Sequence, residues 1–233
     1  MTFAEFFERI RLDYVVLRVL SEKADRTCWL LCHKAIGKKL VLRRLPEKSY
    51  VYAFLRGITH PNLPVVYDIL TLADGFAVLE EYIDGVSAAE VLETGPYTYN
   101  GAKNLLLGVC AGLDVLHQNG FVHRDIKPEN VMIEKGGCVK VIDFDISRAV
   151  SGFGCDTRVL GTLGYAPPEQ QGVSETDPRS DIYALGVLLN VLLTREHPSV
   201  SLVPGRAGRI VLKCTAVSPE KRFQTVRELM EIL

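Results

Sequence analysis

The sequence has no surplus of charge of either sign. Its 233 residues carry 27 Lys and Arg against 28 Asp and Glu, a formal net charge of -1. No global field therefore draws the chain to nucleic acid or to an anionic membrane, and a polyanionic ligand must be caught locally. Paired cysteines are also missing. Cys28, Cys32, Cys110, Cys138, Cys155 and Cys214 are scattered with no CxxC spacing, which argues against a zinc or dithiol site. They read as small buried thiols in a reducing, cytoplasmic setting. The most apolar run, SDIYALGVLLNVLL, falls short of the ~20 residues needed to cross a bilayer, so no membrane segment is expected and the run reads as a helix buried in a large lobe. The opening MTFAEFFERI lacks the basic-then-apolar order of a secretion signal. Its Phe3, Phe6, Phe7 and Ile10 recur at helical spacing, which predicts a short helix docked on the body. Internal repeats and low-complexity tracts are absent.

What is present is apolar mass, at 48% hydrophobic residues, enough for one or two compact lobes. Up to about Leu79 the chain alternates short β-branched and aromatic runs with polar breaks: YVVLRVL, TCWLLCH, KKLVLRRL, LPVVYDIL and GFAVLEEY. These predict five strands of an antiparallel sheet with one helix near Ser49 to Gly57. Beyond Asp84-Gly85 the pattern lengthens into helical segments, with Gly120 placed as a helix stop. The reading is an α+β chain: a strand-rich lobe over residues 1–80, a connector over 81–85 and a mainly helical lobe over 86–233.

The densest chemistry lies in the second lobe. NVMIEKGGCVKVIDF reads as a hairpin turning at Gly136-Gly137. A turn centred there sets Asn130 opposite Asp143, and directly opposed residues have Cβ atoms ~5 Å apart, close enough for an amide carbonyl and a carboxylate to share a hard cation such as Mg²⁺ or Mn²⁺. Just upstream, HRDIKPE packs His123, Arg124, Asp125, Lys127 and Glu129 between apolar segments. Asn and Asp beside strands are also ordinary turn and cap residues. Asp125 and Lys127 in the same register are harder to read as punctuation.

HRDIKPENVMI followed by VIDFD resembles the catalytic and metal-binding loops of the eukaryotic-type protein kinases. GTLGYAPPEQ, RSDIYALGVLL and PEKRF continue the resemblance, and the phrasing is most similar to bacterial serine/threonine kinases of the Gram-positive type. The resemblance implies a bilobal kinase-like fold, ATP and Mg²⁺ (or Mn²⁺) as cofactors, and protein Ser/Thr hydroxyls as substrates, with self-association for autophosphorylation and no nucleic-acid partner. By resemblance Asp125 orients the acceptor hydroxyl, Lys127 sits by the transferred phosphoryl group, and Asn130 with Asp143 holds the metal. Arg43, Glu81, Ile83 and Met132 are the implied nucleotide contacts. Arg222 and Glu169 are an implied ion pair. Thr162 marks the serine/threonine subclass, while Arg124 and Thr157 are the implied regulatory pair, phosphothreonine on arginine.

The first lobe departs from the family pattern. Where a G-x-G-x-x-G loop would let phosphate approach bare backbone, LSEKADRTCWL has no glycine, and Ser21, Lys23 and Arg26 take those positions. Arg43 replaces the strand lysine, Val51 the helix glutamate that anchors it, and Glu80 stands at the normally apolar gatekeeper position. Glu80 reads either as a carboxylate facing water or as the new anchor of Arg43, with Glu47 as the rival anchor. Asp145 replaces the glycine of D-F-G and is expected to cap the local backbone in a left-handed conformation, with an added metal ligand as the other reading. Two further functions stay open: a scaffold that has lost transfer, and a small-molecule phosphotransferase of the aminoglycoside type. GTLGYAPPEQ, similar to a peptide-docking segment, argues against the latter.

Overall fold

The computed structural model describes residues 1–23, 25–150, 162, 164–171 and 176–233. The chain divides into two compact units, Met1–His60 with Pro64–Asp84, and Pro61–Leu63 with Gly85–Leu233.

The first unit opens with α1 (Phe3–Asp13), started by a capping box in which Thr2 and Glu5 satisfy each other's backbone N–H groups. It is followed by β1 (Tyr14–Lys23), β2 (Arg26–His33), β3 (Lys39–Leu45), the short helix α2 (Tyr50–Leu55), β4 (Val66–Leu72) and β5 (Gly75–Glu81). The strands form the expected five-stranded antiparallel sheet, in the order β1-β2-β3-β5-β4. Alternation decides its two faces. One carries Leu31, Leu42 and Ala77, buried against Phe3, Phe6 and Ile10 of α1. Trp29 stacks on Phe3 at 5.4 Å between ring centroids and lies 5.1 Å from Phe7. Both helix ends are tied to the sheet unit: Phe3 N–H donates to Asp74 (2.6 Å), and Lys34 Nζ donates to the terminal carbonyls of Arg11 and Leu12. Among the described residues the unit thus holds two helices, α1 and α2, both predicted.

The second unit begins with β6 (Gly85–Ser87), α3 (Ala88–Thr94) and α4 (Tyr99–Gln118). After α4, Gly120 takes the left-handed φ of 73° expected of a helix stop. β7 (Phe121–Val122), β8 (Val131–Glu134), β9 (Val139–Val141) and β10 (Arg148–Ala149) follow, then the helices α5 (Pro178–Thr194), α6 (Gly205–Cys214) and α7 (Val226–Ile232). β6, β8 and β9 form a three-stranded sheet, and β7 pairs with β10. The apolar run is α5, buried along Ile182, Leu185, Val187, Leu188, Leu189 and Leu192. Gly186 lets it meet α6 closely, since a Cβ there would lie 2.4 Å from that of Cys214. Asn190, fully buried in α5, donates to the carbonyls of Glu196 and Ser201 and accepts from Val203 N–H. One amide side chain thereby organises the connector to α6.

The connector read at 81–85 is partly strand, because Glu81 ends β5 and Gly85 begins β6. The β8–β9 register also differs from expectation. Val131 pairs with Val141, and Ile142 N–H donates to Asn130 O (2.9 Å), so Asn130 lies opposite Ile142 rather than Asp143. The cause is the loop: Glu134 and Cys138 close it, and Gly137 sits in the left-handed region at φ 83°. That is a three-residue turn rather than one centred between two glycines.

If the Trp29 ring is what holds α1, Trp29→Ala should cost about 3 kcal/mol and raise amide exchange across Phe3–Asp13 more than across the β2–β3 pairing. Uniform acceleration in hydrogen-exchange mass spectrometry would count against this.

Candidate active site

The loop between β7 and β8 is organised from below by Asp181, on the first turn of α5 and fully buried. Its Oδ1 accepts from Arg124 N–H (2.8 Å), and its Oδ2 accepts from His123 N–H (2.9 Å) and from His117 Nε2 (2.8 Å). Burial alone would raise the Asp181 pKa; the hydrogen bond and charge of His117, with the bond from His123 N–H, outweigh it and hold the carboxyl below its ordinary value. The backbone turns sharply here, with Arg124 at a left-handed φ of 72°. Gln170 Nε2 donates to Arg124 O (2.7 Å).

His123 is fixed on both ring nitrogens. Nε2 lies 3.1 Å from Ile142 O, which can only accept, so Nε2 carries the proton, and Nδ1 accepts from Asp125 N–H (3.3 Å). Burial lowers its pKa, keeping the imidazole neutral. Its ring meets Phe144 edge-on at 5.1 Å, and Ser147 Oγ donates to His123 O (3.1 Å). The loop and the chain after β9 are thus packed as one piece.

On this base stands a four-residue cluster. Asp125 Oδ1 accepts from Thr162 Oγ1 (2.7 Å), and Asp125 Oδ2 lies 2.9 Å from Lys127 Nζ and 2.9 Å from Asn130 Nδ2. Lys127 Nζ also donates to Thr162 Oγ1 (2.7 Å), and Asn130 Nδ2 to Asp125 O (2.8 Å). Burial pushes the Asp125 pKa up, but the bonds from Lys127 and Thr162 prevail and leave it lowered. A carboxylate so held is a weak base and a strong hydrogen-bond acceptor, suited to orienting a hydroxyl. Asn130 spends its amide N–H on Asp125, so its carbonyl oxygen is the atom it offers as a ligand. That oxygen and the Asp143 carboxylate are hard donors of the kind that suit Mg²⁺, but the register sets Asn130 opposite Ile142 and not opposite Asp143. Among the described residues no group of three or more His, Cys, Asp or Glu is placed to hold a metal ion.

The left-handed residue after β9 is Asp143 (φ 68°), and Asp145 does not share that conformation. The chain reverses two residues earlier than expected, followed by a turn in which Ser147 N–H donates to Phe144 O. Arg222 and Glu169 form the implied pair, with two contacts of 2.5 and 2.9 Å, buried, and Ser180 Oγ joins Glu169 at 3.0 Å. Arg124 donates through Nε to Thr176 Oγ1 (2.9 Å); Thr157 lies outside the described residues. Met132 lies in β8 between Ser87 and Lys140. Glu81 is joined to Val65 twice, its N–H donating to Val65 O and its carboxylate accepting from Val65 N–H, and Ile83 is buried. Arg43 Nε meets Glu80 Oε1 at 2.5 Å, the expected alternative to water exposure, while Glu47 is exposed. Asp181, His117 and Gln170 were not singled out from sequence. A lone Asp in an otherwise apolar helix was the available signal.

The sequence matches the protein kinase domain family over residues 31–228. The chain belongs to that family. It is similar to the serine/threonine-protein kinase PknB of Mycobacterium tuberculosis, 36% identical over 86% of this chain and 38% of the relative. It is similar as well to the serine/threonine-protein kinase PrkC of Bacillus subtilis, 29% identical over 95% of this chain and 40% of the relative. The chain therefore spans about two fifths of the length of these curated relatives.

In this kinase-family site Asp181→Asn should be destabilising by on the order of 3 kcal/mol at neutral pH, because it places an amide against buried N–H donors. A carboxyl with a lowered folded pKa contributes stability above its unfolded value, here 3.8, and loses it as pH falls through the folded value. Acid titration of the melting temperature should show a steeper loss below pH ~4 for the wild type than for Asp181→Asn. Parallel acid limbs would remove Asp181 from this role.

Proposed function

We propose that the chain is an ATP-dependent protein serine/threonine kinase domain, with an N-lobe over residues 1–80, a hinge over 81–85 and a C-lobe over 86–233. The observation that carries the reading is the Asp125–Lys127–Asn130–Thr162 cluster in a chain of this family. Asp125 accepts a hydrogen bond from the Ser or Thr hydroxyl of a protein substrate and aims its oxygen at the γ-phosphate. Lys127 neutralises charge on the transferred phosphoryl group. Thr162, bonded to both, closes the floor on which the hydroxyl rests. Asn130 and Asp143 would hold Mg²⁺ or Mn²⁺, which when bound would supply positive charge against the phosphate groups. Arg43, Glu81, Ile83 and Met132 serve the nucleotide, with Glu81 and Ile83 offering backbone groups to adenine. Arg124, with Thr157, is the regulatory assignment, and a cytoplasmic location and self-association for autophosphorylation accompany it.

A second reading, a scaffold that binds nucleotide without transferring it, draws on the β1–β2 hairpin. Ser21, Glu22 and Lys23 pair with Cys28, Thr27 and Arg26 up to the tip, so backbone groups that glycines would present to phosphate are committed to the strand ladder. Labelled ATP offered with casein, with the chain alone and with kanamycin separates protein kinase, scaffold and small-molecule phosphotransferase.

Asp125→Asn should reduce transfer at least a hundredfold and leave Mg·ATP affinity within about threefold, because the lost charge acts on the acceptor. Asp143→Asn should instead weaken metal-dependent nucleotide binding about tenfold or more. Casein phosphorylation and ATP titrations read both; retained transfer in Asp125→Asn would exclude Asp125 from the reaction.

A further inference from the structure

Arg43 and Glu80 lie on adjacent strands of one sheet. Val41 pairs with Glu80 and Arg43 with Val78, so the two charges sit diagonally on the same face, within reach of long side chains. Their contact is 2.5 Å, with side-chain exposures of 10% and 5%. A buried ion pair is a poor device for stability alone, since an apolar pair of similar volume is commonly as stable. It does fix where a guanidinium points, and Nε engagement sets the plane of the whole fork. Helix α2, the element from which a kinase ordinarily anchors its β3 cation, has the sequence YVYAFL, with no acidic residue in its first turn, and buries Val51, Tyr52 and Leu55.

We propose that Glu80 is the positioning residue for Arg43, holding it for the nucleotide phosphates from within the sheet. The anchor has moved from a helix to the neighbouring strand. The cation is thereby placed by a strand neighbour that the β3–β5 ladder itself holds. The proposal rests on the kinase reading of β3 and specifies what controls that site.

A double-mutant cycle on nucleotide binding tests it, read by displacement of a fluorescent ATP analogue with Mg²⁺ present, together with KM for ATP and kcat for transfer. Glu80→Gln should weaken Mg·ATP binding and raise KM roughly tenfold, with kcat changed less than threefold. Arg43→Ala should do at least as much, and adding Glu80→Gln to Arg43→Ala should change affinity no further. A purely structural Glu80 would lower the melting temperature in both backgrounds and leave the remaining folded protein with wild-type affinity. Glu80→Asp, which keeps the charge and shortens its reach, is the fallback should Glu80→Gln not fold, and should give an intermediate loss. Ala53→Gly, which loosens α2, should leave affinity within twofold. Unchanged affinity in Glu80→Gln, a full Glu80 effect persisting without Arg43, or a larger loss from Ala53→Gly would each overturn the proposal. The functional reading fails separately, in the wild type, if that protein binds no Mg·ATP and transfers no phosphate.

Discussion

Asp181 sits where the apolar interior of the second unit meets its most polar loop, and that loop depends on it. The carboxylate accepts the consecutive N–H groups of His123 and Arg124, which a left-handed turn at Arg124 points downward. The same turn presents Asp125 on the other side. A buried charge is tolerable only when paired and hydrogen-bonded, and here the pairing partner His117 comes from α4. Two helices and a loop are thereby held by one carboxylate.

From that base the arrangement propagates by short hydrogen bonds. His123 reaches the carbonyl of Ile142, and Ile142 N–H reaches Asn130. Asn130 in turn holds Asp125 by backbone and carboxylate. Loop and hairpin are therefore joined by a continuous chain of hydrogen bonds, the kind of support that preorganisation of a carboxylate requires. The Glu169–Arg222 pair anchors a neighbouring segment in the same way, with Arg222 also donating to the carbonyls of Arg179, Ala216 and Val217.

The first unit follows a different economy. One sheet face is largely apolar under α1, whose aromatic residues close over Trp29, with Arg44 set over the Phe3 ring and paired with Asp74. The other face carries the Arg43–Glu80 pair. That contact joins neighbouring strands, in the same sheet as a hairpin whose strands pair as far as Lys23 and Arg26. The two units thus keep their polar groups in place by different means, a network centred on one carboxylate in one and side-chain ion pairs such as Arg43–Glu80 and Arg44–Asp74 in the other.

Much of this was legible in the residues alone. Short β-branched and aromatic runs between polar breaks mark the five strands, helical spacing marks α1, long apolar runs mark α4 and α5, and HRDIKPEN with VIDFD marks the polar loop. Even the Arg43–Glu80 contact followed from a missing carboxylate at Val51. The register of β8 and β9 did not, since it turned on whether the Gly136-Gly137 loop holds two residues or three, and one residue reverses every side chain. Nor did the strained position, which falls on Asp143 rather than Asp145. Asp181 and Asn190 were hidden for another reason: a polar residue in an apolar helix declares its partners only when distant segments arrive. Composition and periodicity by themselves determined the elements and the chemical vocabulary of the site. The tertiary structure alone decided that Asp181 is the carboxylate that carries the loop, because hydrogen bonds across 57 and 58 residues of chain have no signature in local sequence.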